Sequence, residues 1–354
     1  MEKKQKEKVI KAYKGFDDKL QCRGFQYEVG KEYKMNGKVS CCENGFHACQ
    51  SPLEVLDYYF LLDNGKMARF CEVEQAGTID GIKGNSTKVA SSKIKINREL
   101  TFSELISLGI EWIKEQAKSK KIKDTDLSDN VEKEKKISSS GKSAYIASSG
   151  GHVQIGSSGY DAQIASSGDH AKIGSSGCNA QIASSGCNAK IASNGDYAKI
   201  ASSGYFAKIG NSGNGTKIAS NGDYAKITSS GCNTKIGSSG NGTKIASNGD
   251  YTKITSSGCN TKIGSSGKGT KIASNGDNAK IMSSGEDSLI CCLGYNSIAK
   301  AEKGSWITLA EWVEDEKKNR LIPKCVKAEY VDGERIKSDT WYKLIDGEFT
   351  EIDA

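Results

Sequence analysis

IASNGDYAK, residues 191–199, is the phrase from which the fold of this chain can be read. Isoleucine opens it and returns nine residues later, and that spacing holds without a miss from Ile137 through Ile290. Around each isoleucine the consensus is Ile, a small residue, Ser, Ser or Asn, Gly, two variable residues, Ala or Thr, then Lys or Gln. A unit this short cannot bury an apolar face alone. It does so by stacking on its neighbours, so a fixed short period marks a solenoid.

In the strand A-K-I-A-S, alternation puts Ile on the side of the Ala or Thr two before it and the Ser two after it, with Lys or Gln facing water. The glycine four after each isoleucine reads as the corner residue, supplying the positive φ of a sharp turn. Two units per coil fit better than three, because one Ile, one Ala or Thr and one Ser per strand cannot fill a wide triangular core at native density. The expected rod is a two-sided parallel β-solenoid of about 18 residues per coil, nine coils and about 40–45 Å long. A 27-residue superperiod, DYAK…CNTK…NGTK, reads as a trace of gene duplication. Calcium-binding nonapeptide rolls share the nine-residue period but carry Asp in every turn. Here Asp196, Asp223, Asp250 and Asp277 recur only every 27 residues, so no calcium is expected. Thr216, Thr234, Thr252 and Thr270, 18 apart, share the inward side, which argues against an ice-binding ladder.

The fold class that follows is mainly β, with an α+β head before the rod and an antiparallel β cap after it. The boundaries are a head with a C-terminal helix at 1–123, a charged linker at 124–136, the rod at 137–299 and a β-hairpin cap at 300–354. The net charge of +7 divides into about +4 over 1–136, +6 over 137–299 and −3 over 300–354, so basicity is spread over head and rod. The opening MEKKQKEKVIKAYKGF lacks the apolar run of a signal peptide, and no stretch of about 18 apolar residues occurs anywhere. A cytoplasmic location, no membrane partner and reduced thiols for the twelve cysteines are expected.

In the head, VIKAYKGF, RGFQYEVG, NGFHAC, ARFCEVEQAG and SSKIKI read as strands. SPLEVLDYYFLL reads as a helix with Ser51 as N-cap and Pro52 at its first position. Phe16, Phe25, Phe46, Leu53, Leu56, Phe60 and Phe70 are the candidate core. A second helix is expected at 101–121, from the spacing of Phe102, Leu105, Ile106, Ile110, Ile113 and Ala117. Cys22, Cys41, Cys42, His47, Cys49 and Cys71 include metal-ligand types. However, adjacent Cys41 and Cys42 would point to opposite sides of a strand, so these read as structural thiols and neither metal nor cofactor is expected.

NGFHACQSPLEVLDYY followed by ARFCEVEQAG resembles the central stretch of the poly-ADP-ribose polymerase type of ADP-ribosyltransferase. On that resemblance Phe46 and His47 take the "I-Y" positions, Tyr58 the second tyrosine, and Glu72, Val73 and Gly77 the later strand. Lys14, in AYKGF, stands where that family carries its NAD-binding histidine. The resemblance implies NAD-dependent ADP-ribosyl transfer by the head. The chain departs from the family in having no glutamate in VASSKIKI to steady a developing oxocarbenium, so the head reads as a degenerate transferase. The candidate catalytic residues are Lys14, His47 and Tyr58, with Cys49 sharing the face of His47 as a possible nucleophilic partner.

On the rod, Lys172, Lys190, Lys208, Lys226, Lys244, Lys262 and Lys280 are expected on one face, and Lys199, Lys217, Lys235, Lys253 and Lys271 on the other. Such rows suit a polyanion, while Tyr197, Tyr205, Phe206, Tyr224 and Tyr251 fall at corners and do not alternate with the lysines to stack bases. In the tail, two hairpins turned at Asp332-Gly333 and Asp346-Gly347 are expected, with Trp306, Trp312 and Trp341 closing the core. The segments KGF…CRGFQYEVG…GFHAC, IASSGxxAK and KGSWITLAEW…DTWYKL together resemble uncharacterised phage and prophage proteins of Gram-positive anaerobes. The reading is a non-enzymatic binding protein whose lysine-lined rod is displayed to a host macromolecule, most simply a protein, with inhibition of a host defence system as its consequence. Nucleic-acid binding by the lysine rows is the alternative, and the oligomeric state is left open.

Overall fold

The structure is a computed structural model. It describes residues 8–59, 68–81, 86–101, 136–353 and positions 104, 105, 108, 109, 111, 112 and 115. The chain divides into two compact units, Met1–Glu115 and Gln116–Ala354. Most of the segment 124–136 read as a linker, and Phe60, Phe102, Ile106, Ile110, Ile113 and Ala117 from the core and helix readings, lie outside the described residues.

The first unit is built on antiparallel strands β1 (Ile10–Phe16), β4 (Glu32–Lys34), β5 (Phe46–Cys49), β6 (Arg69–Gly81) and β7 (Lys88–Leu100), in the order β4-β7-β5-β1-β6. β6 also pairs with β7, so β1, β5, β7 and β6 form a closed ring. Closure removes the exposed edges that an open sheet of this size would carry. Ala12, Phe16, Phe46, Val73, Ile94 and Ile96 fill the core.

Three details of the head differ from the sequence reading. Only two residues of RGFQYEVG form a strand: β2 (Gln21–Cys22) and β3 (Phe25–Gln26) make a tight hairpin, turned at Arg23 and Gly24 with φ of 51° and 79°. Two consecutive left-handed residues are the twist-matched solution for a two-residue hairpin loop. Phe25 leaves the core and is 44% exposed. The helix expected from Ser51 is a single turn, α1 (Val55–Tyr58), with Glu54 at the N-cap. The Glu54 carboxylate is engaged elsewhere: it accepts from the Ser86 hydroxyl, from Thr87 N at 2.7 Å and from Thr87 Oγ1 at 2.5 Å, while Ser51 N donates to Thr87 Oγ1 at 2.8 Å. These bonds hold residues 51–54 against the start of β7.

The described positions between 104 and 115 are helical. Their start is a reciprocal cap. Glu104 N donates to Thr101 Oγ1 at 3.2 Å and the Glu104 carboxylate accepts from Thr101 N at 2.8 Å. These backbone and side-chain donors, with Arg98, hold the Glu104 carboxyl down at about 2.

In the second unit, four-residue strands run from β8 (Lys136–Ser139) to β26 (Ile298–Ala301). Alternate strands pair in parallel with an 18-residue register, as in Lys172↔Lys190 and Ile173↔Ile191, giving two sheets and about ten coils. The isoleucines from Ile137 to Ile290 are at most 3% exposed and form one continuous core cluster.

The corner works differently from the sequence reading. The repeated glycine is not the left-handed residue; that role falls two positions later, to Tyr197 (φ 57°), Asn233 (φ 56°) and their equivalents. The glycine is required by crowding. A Cβ on Gly195 would lie 2.0 Å from the carbonyl oxygen of Gly177 in the preceding coil. Asp and Asn at the first variable position bond the next coil: Asp196 Oδ1 accepts from Asn214 N at 2.8 Å, and Asn214 Oδ1 from Cys232 N at 2.9 Å. At the second position the Tyr197 ring lies over the coil that follows, where a Cβ on Gly215 would come within 2.8 Å of it. On each edge the order is therefore DY, then NG, then CN. The 27-residue superperiod thus has a packing role as well as any ancestry.

The cap continues both sheets. β27 (Trp306–Asp315) pairs in parallel with β25 (Leu289–Cys292) and antiparallel with β28 (Arg320–Tyr330), while β29 (Tyr342–Ile345) and β30 (Glu348–Glu351) extend the other sheet. Asp346-Gly347 is the turn between β29 and β30, with φ of 50° and 75°. Asp332-Gly333 turns no hairpin: the Asp332 carboxylate accepts from Glu334 N and Ile336 N and shapes a loop, and the first hairpin closes over 316–319. Ile307, Leu309, Val331, Ile336, Tyr342 and Leu344 seal the isoleucine core. Trp306 lies outside that seal, 48% exposed against Tyr330, because it continues the outward row; Trp312 Nε1 donates to Leu293 O at 2.9 Å.

Candidate functional site

Alternation along β1 sends Ala12, Lys14 and Phe16 to the same side, and the two apolar members join the head core. Lys14 is carried inward with them and is 5% exposed. Its Nζ donates to the backbone carbonyl of His47 at 2.8 Å and stands 5.6 and 5.5 Å from the ring centres of Phe16 and Tyr27. It has no ion-pair partner among the described residues. Burial pushes its amine below the ordinary lysine value, opposed by the thiols of Cys22 and Cys49 nearby.

His47, on β5, is half-buried, and its Nε2 accepts the Cys42 backbone N–H at 2.9 Å. Accepting requires that nitrogen to be unprotonated. Burial, then the charges of Lys88 and Lys14, hold the imidazole below its ordinary pKa. Cys49, buried, ends the same strand, and Tyr58 is exposed with Lys88 Nζ 4.3 Å from its ring centre. The four sequence candidates, Lys14, His47, Cys49 and Tyr58, line one cavity of about 710 Å³.

The same cavity takes in residues outside the four catalytic candidates. The β2–β3 hairpin delivers Cys22, Arg23 and Phe25, and Tyr27 and Tyr59 complete the wall. Tyr59 reaches its place because residue 15 is glycine: a Cβ there would lie 2.4 Å from Cβ of Tyr59. From that position its hydroxyl donates to Cys22 Sγ at 3.1 Å. Lys14, Arg23, Lys34 and Lys88 line the cavity against one acid, Glu43. The pairing of Gly15 with a distant tyrosine, and the hairpin turn at Arg23, carry no local sequence signal. Cys41 and Cys42 lie in a turn, and burial pushes the Cys71 thiol up to about 12. Among the described residues no group of three His, Cys, Asp or Glu side chains is placed to hold a metal ion.

On the solenoid, Lys172, Lys190, Lys208, Lys226, Lys244 and Lys262 are exposed in one in-register line. Lys136 and Gln154 extend that line. Beside it runs a row of Gly, Ala and Thr, and the part of the line from Lys136 to Lys226 borders with that row a trough of about 770 Å³. None of the six has an ion-pair partner among the described residues. Lys280, the seventh candidate, is half-buried, with Nζ 5.6 Å from the ring centre of Trp341. On the opposite sheet Lys235, Lys253 and Lys271 are exposed, whereas Lys199 and Lys217 are half-buried. The two faces are therefore not equivalent, and only one carries an unbroken row. The corner aromatics form their own cluster, with the Phe206 and Tyr224 rings stacked at 5.3 Å.

Residues 10–108 match a family described as a domain of unknown function, DUF7666. No curated protein and no solved structure matches the chain. No helix among the described residues is long and apolar enough to cross a membrane.

Proposed function

We propose that this is a non-enzymatic binding protein whose solenoid holds a partner through its lysine face. The observation that carries this reading is the line of six exposed lysines without acidic partners, repeated at coil spacing from Lys172 to Lys262. Neighbouring coils stand about 4.8 Å apart, and at that separation two ammonium groups repel by roughly 1 kcal/mol in water before splaying and salt reduce it. A rigid backbone holds the charges in this repulsive line, and a partner with closely spaced negative charges relieves it. No aromatic ring interleaves the row, so recognition rests on charge rather than base stacking. An acidic protein surface fits that description better than single-stranded nucleic acid.

The resemblance to phage and prophage proteins supplies the setting we assign to it: the cytoplasm of a host cell, with capture of a host protein, and thereby inhibition of a defence system, as the outcome. ADP-ribosyl transfer is set aside, because the acid lining the head cavity, Glu43, belongs to a turn and not to β7. Fluorescence anisotropy with labelled polyglutamate and labelled duplex DNA, between about 50 and about 200 mM salt, tests the proposal. Salt-dependent binding that is lost when all six lysines become Gln supports it, and stronger binding to polyglutamate supports the protein partner. Absence of binding to either polyanion, or binding untouched by the six replacements, overturns it.

A further inference from the structure

The head cavity belongs to the first compact unit and the lysine face to the second, so the binding proposed for the solenoid leaves the cavity without a role. Its volume of about 710 Å³ falls within the range of about 300–1,000 Å³ over which pockets enclose a small molecule. Four cations line it, Lys14, Arg23, Lys34 and Lys88, against the single acid Glu43. Glu43 already accepts the Ser40 hydroxyl at 2.8 Å, and Lys34 pairs with Glu32 at 3.1 Å. Lys14, Arg23 and Lys88 have no ion-pair partner among the described residues. Lys14 is the most demanding of the three, because it is only 5% exposed. One of its three N–H groups goes to the His47 carbonyl, a neutral acceptor. A buried cation without a counter-charge is costly, and an anion in the cavity offsets that cost.

The rings of the wall are placed beside these charges. Phe25 follows the left-handed turn at Arg23 and Gly24, and its ring packs edge-on against Tyr27 and Tyr33 with centroids 4.7 and 5.4 Å apart. So held, it still leaves 44% of its surface accessible and lines the cavity. The β2–β3 hairpin thus brings a cation and an accessible ring to one wall within three residues. The start of β7 does the same with Tyr58, itself 49% exposed, whose ring centre lies 4.3 Å from Lys88 Nζ. Accessible rings next to unpaired cations match a molecule that carries both an aromatic body and an oxyanion.

We propose that the head cavity is a binding site for a small aromatic oxyanion. The ring of the ligand covers Phe25, its charged group is held by Arg23 and Lys88, and Lys14 supplies buried positive charge behind them. Binding is non-covalent.

The test is isothermal titration calorimetry of the full-length protein with three probes: 2-naphthyl phosphate, 2-naphthol, which lacks the charge, and inorganic phosphate, which lacks the ring. At neutral pH 2-naphthyl phosphate is expected to bind once per chain, about tenfold or more tightly than either of the others. Phe25→Ala and Lys88→Gln should each weaken it about five- to tenfold, and both lie on exposed or half-buried wall. Lys14→Met should weaken it as well, with far-ultraviolet circular dichroism confirming that the variant folds. The protein in which the six solenoid lysines are Gln should bind 2-naphthyl phosphate as well as the unmodified chain does, so this proposal and that of the lysine face can fail separately. Equal affinity for the three probes, binding untouched by both Phe25→Ala and Lys88→Gln, or binding lost with the solenoid lysines overturns the proposal.

Discussion

Replacing Ala198 by Thr should stabilise the solenoid, and the structure sets the size of the gain. Ser193 is 1% exposed and its hydroxyl has no hydrogen-bonding partner among the described residues. Ser166, Ser175, Ser184, Ser202, Ser220 and Ser274 share this condition, and each, like Ser193, precedes a unit with Ala at the inward position. Where Thr stands instead, the hydroxyl is engaged: Ser238 Oγ donates to Thr243 Oγ1 at 3.2 Å, and Thr243 Oγ1 donates to Gly240 O at 2.7 Å. Ser247, which precedes Thr252, is an exception for which the structure offers no reason. A threonine at 198 places the same hydroxyl between Ser193 and the Gly195 carbonyl. Thr216 and Thr234, fully buried on the same edge, show that the corner accommodates it.

One net hydrogen bond contributes about 1 kcal/mol, and relieving a buried unpaired hydroxyl about 1–3 kcal/mol. Adding volume to a packed core costs about 1 kcal/mol or more. A net gain of about 1–2 kcal/mol is expected. Because repeat arrays unfold by neighbouring units, native-state hydrogen exchange at residues 190–202 is the direct readout, with the urea midpoint as a global check. Combining Ser193→Ala with Ala198→Thr should remove about half of the gain. Destabilisation by Ala198→Thr, or an equal gain in the Ser193→Ala background, would refute the reasoning.

Gly231→Ala should cost several kcal/mol and disrupt the array on both sides, about 3 or more by analogy with severe overpacking, since its Cβ would lie 2.0 Å from the Gly213 carbonyl oxygen; calorimetry of the variant measures this. Glu54→Ala removes the acceptor of Ser86 Oγ, Thr87 N and Thr87 Oγ1 and should destabilise the head by about 2–4 kcal/mol in chemical denaturation, whereas Glu54→Gln should cost less. The depressed pKa of His47 makes the unfolded chain bind the extra proton first, so head stability should fall as pH drops below the ordinary histidine value of 6.5. In His47→Gln that part of the acid dependence should vanish from melting curves between about pH 7 and pH 5, and an unchanged slope would refute it.

The repeat made the solenoid legible because its information is local and restated every nine residues. Ile on one side, Lys on the other and too little inward volume for three strands were enough to give two sheets and an 18-residue coil. The corner is less legible in detail, since a glycine repeated in every unit announces a steric requirement without saying which. Positive φ and a close carbonyl are both met by glycine, and only the stacked coils show that the carbonyl is the reason. Phe25 and the helix at Ser51 were misplaced for a related cause: short apolar runs do not report which side chains a distant strand engages, as Thr87 engages Glu54.

At the candidate site, the sequence offered Lys14, His47, Cys49 and Tyr58 through residue type and a resemblance, and these line one cavity. It offered Cys22 only as a structural thiol and gave no sign that it meets Tyr59, 37 positions away, through the absence of a side chain at Gly15. On the rod it supplied two lysine rows, and the tertiary structure made them unequal, leaving one exposed from Lys172 to Lys262 and half-buried only at Lys280, the other half-buried at Lys199 and Lys217. What is periodic along the chain is decided by the chain, because neighbours in space are a fixed count apart. What depends on a contact between unrelated segments is decided by packing, where no local pattern carries the partner's position.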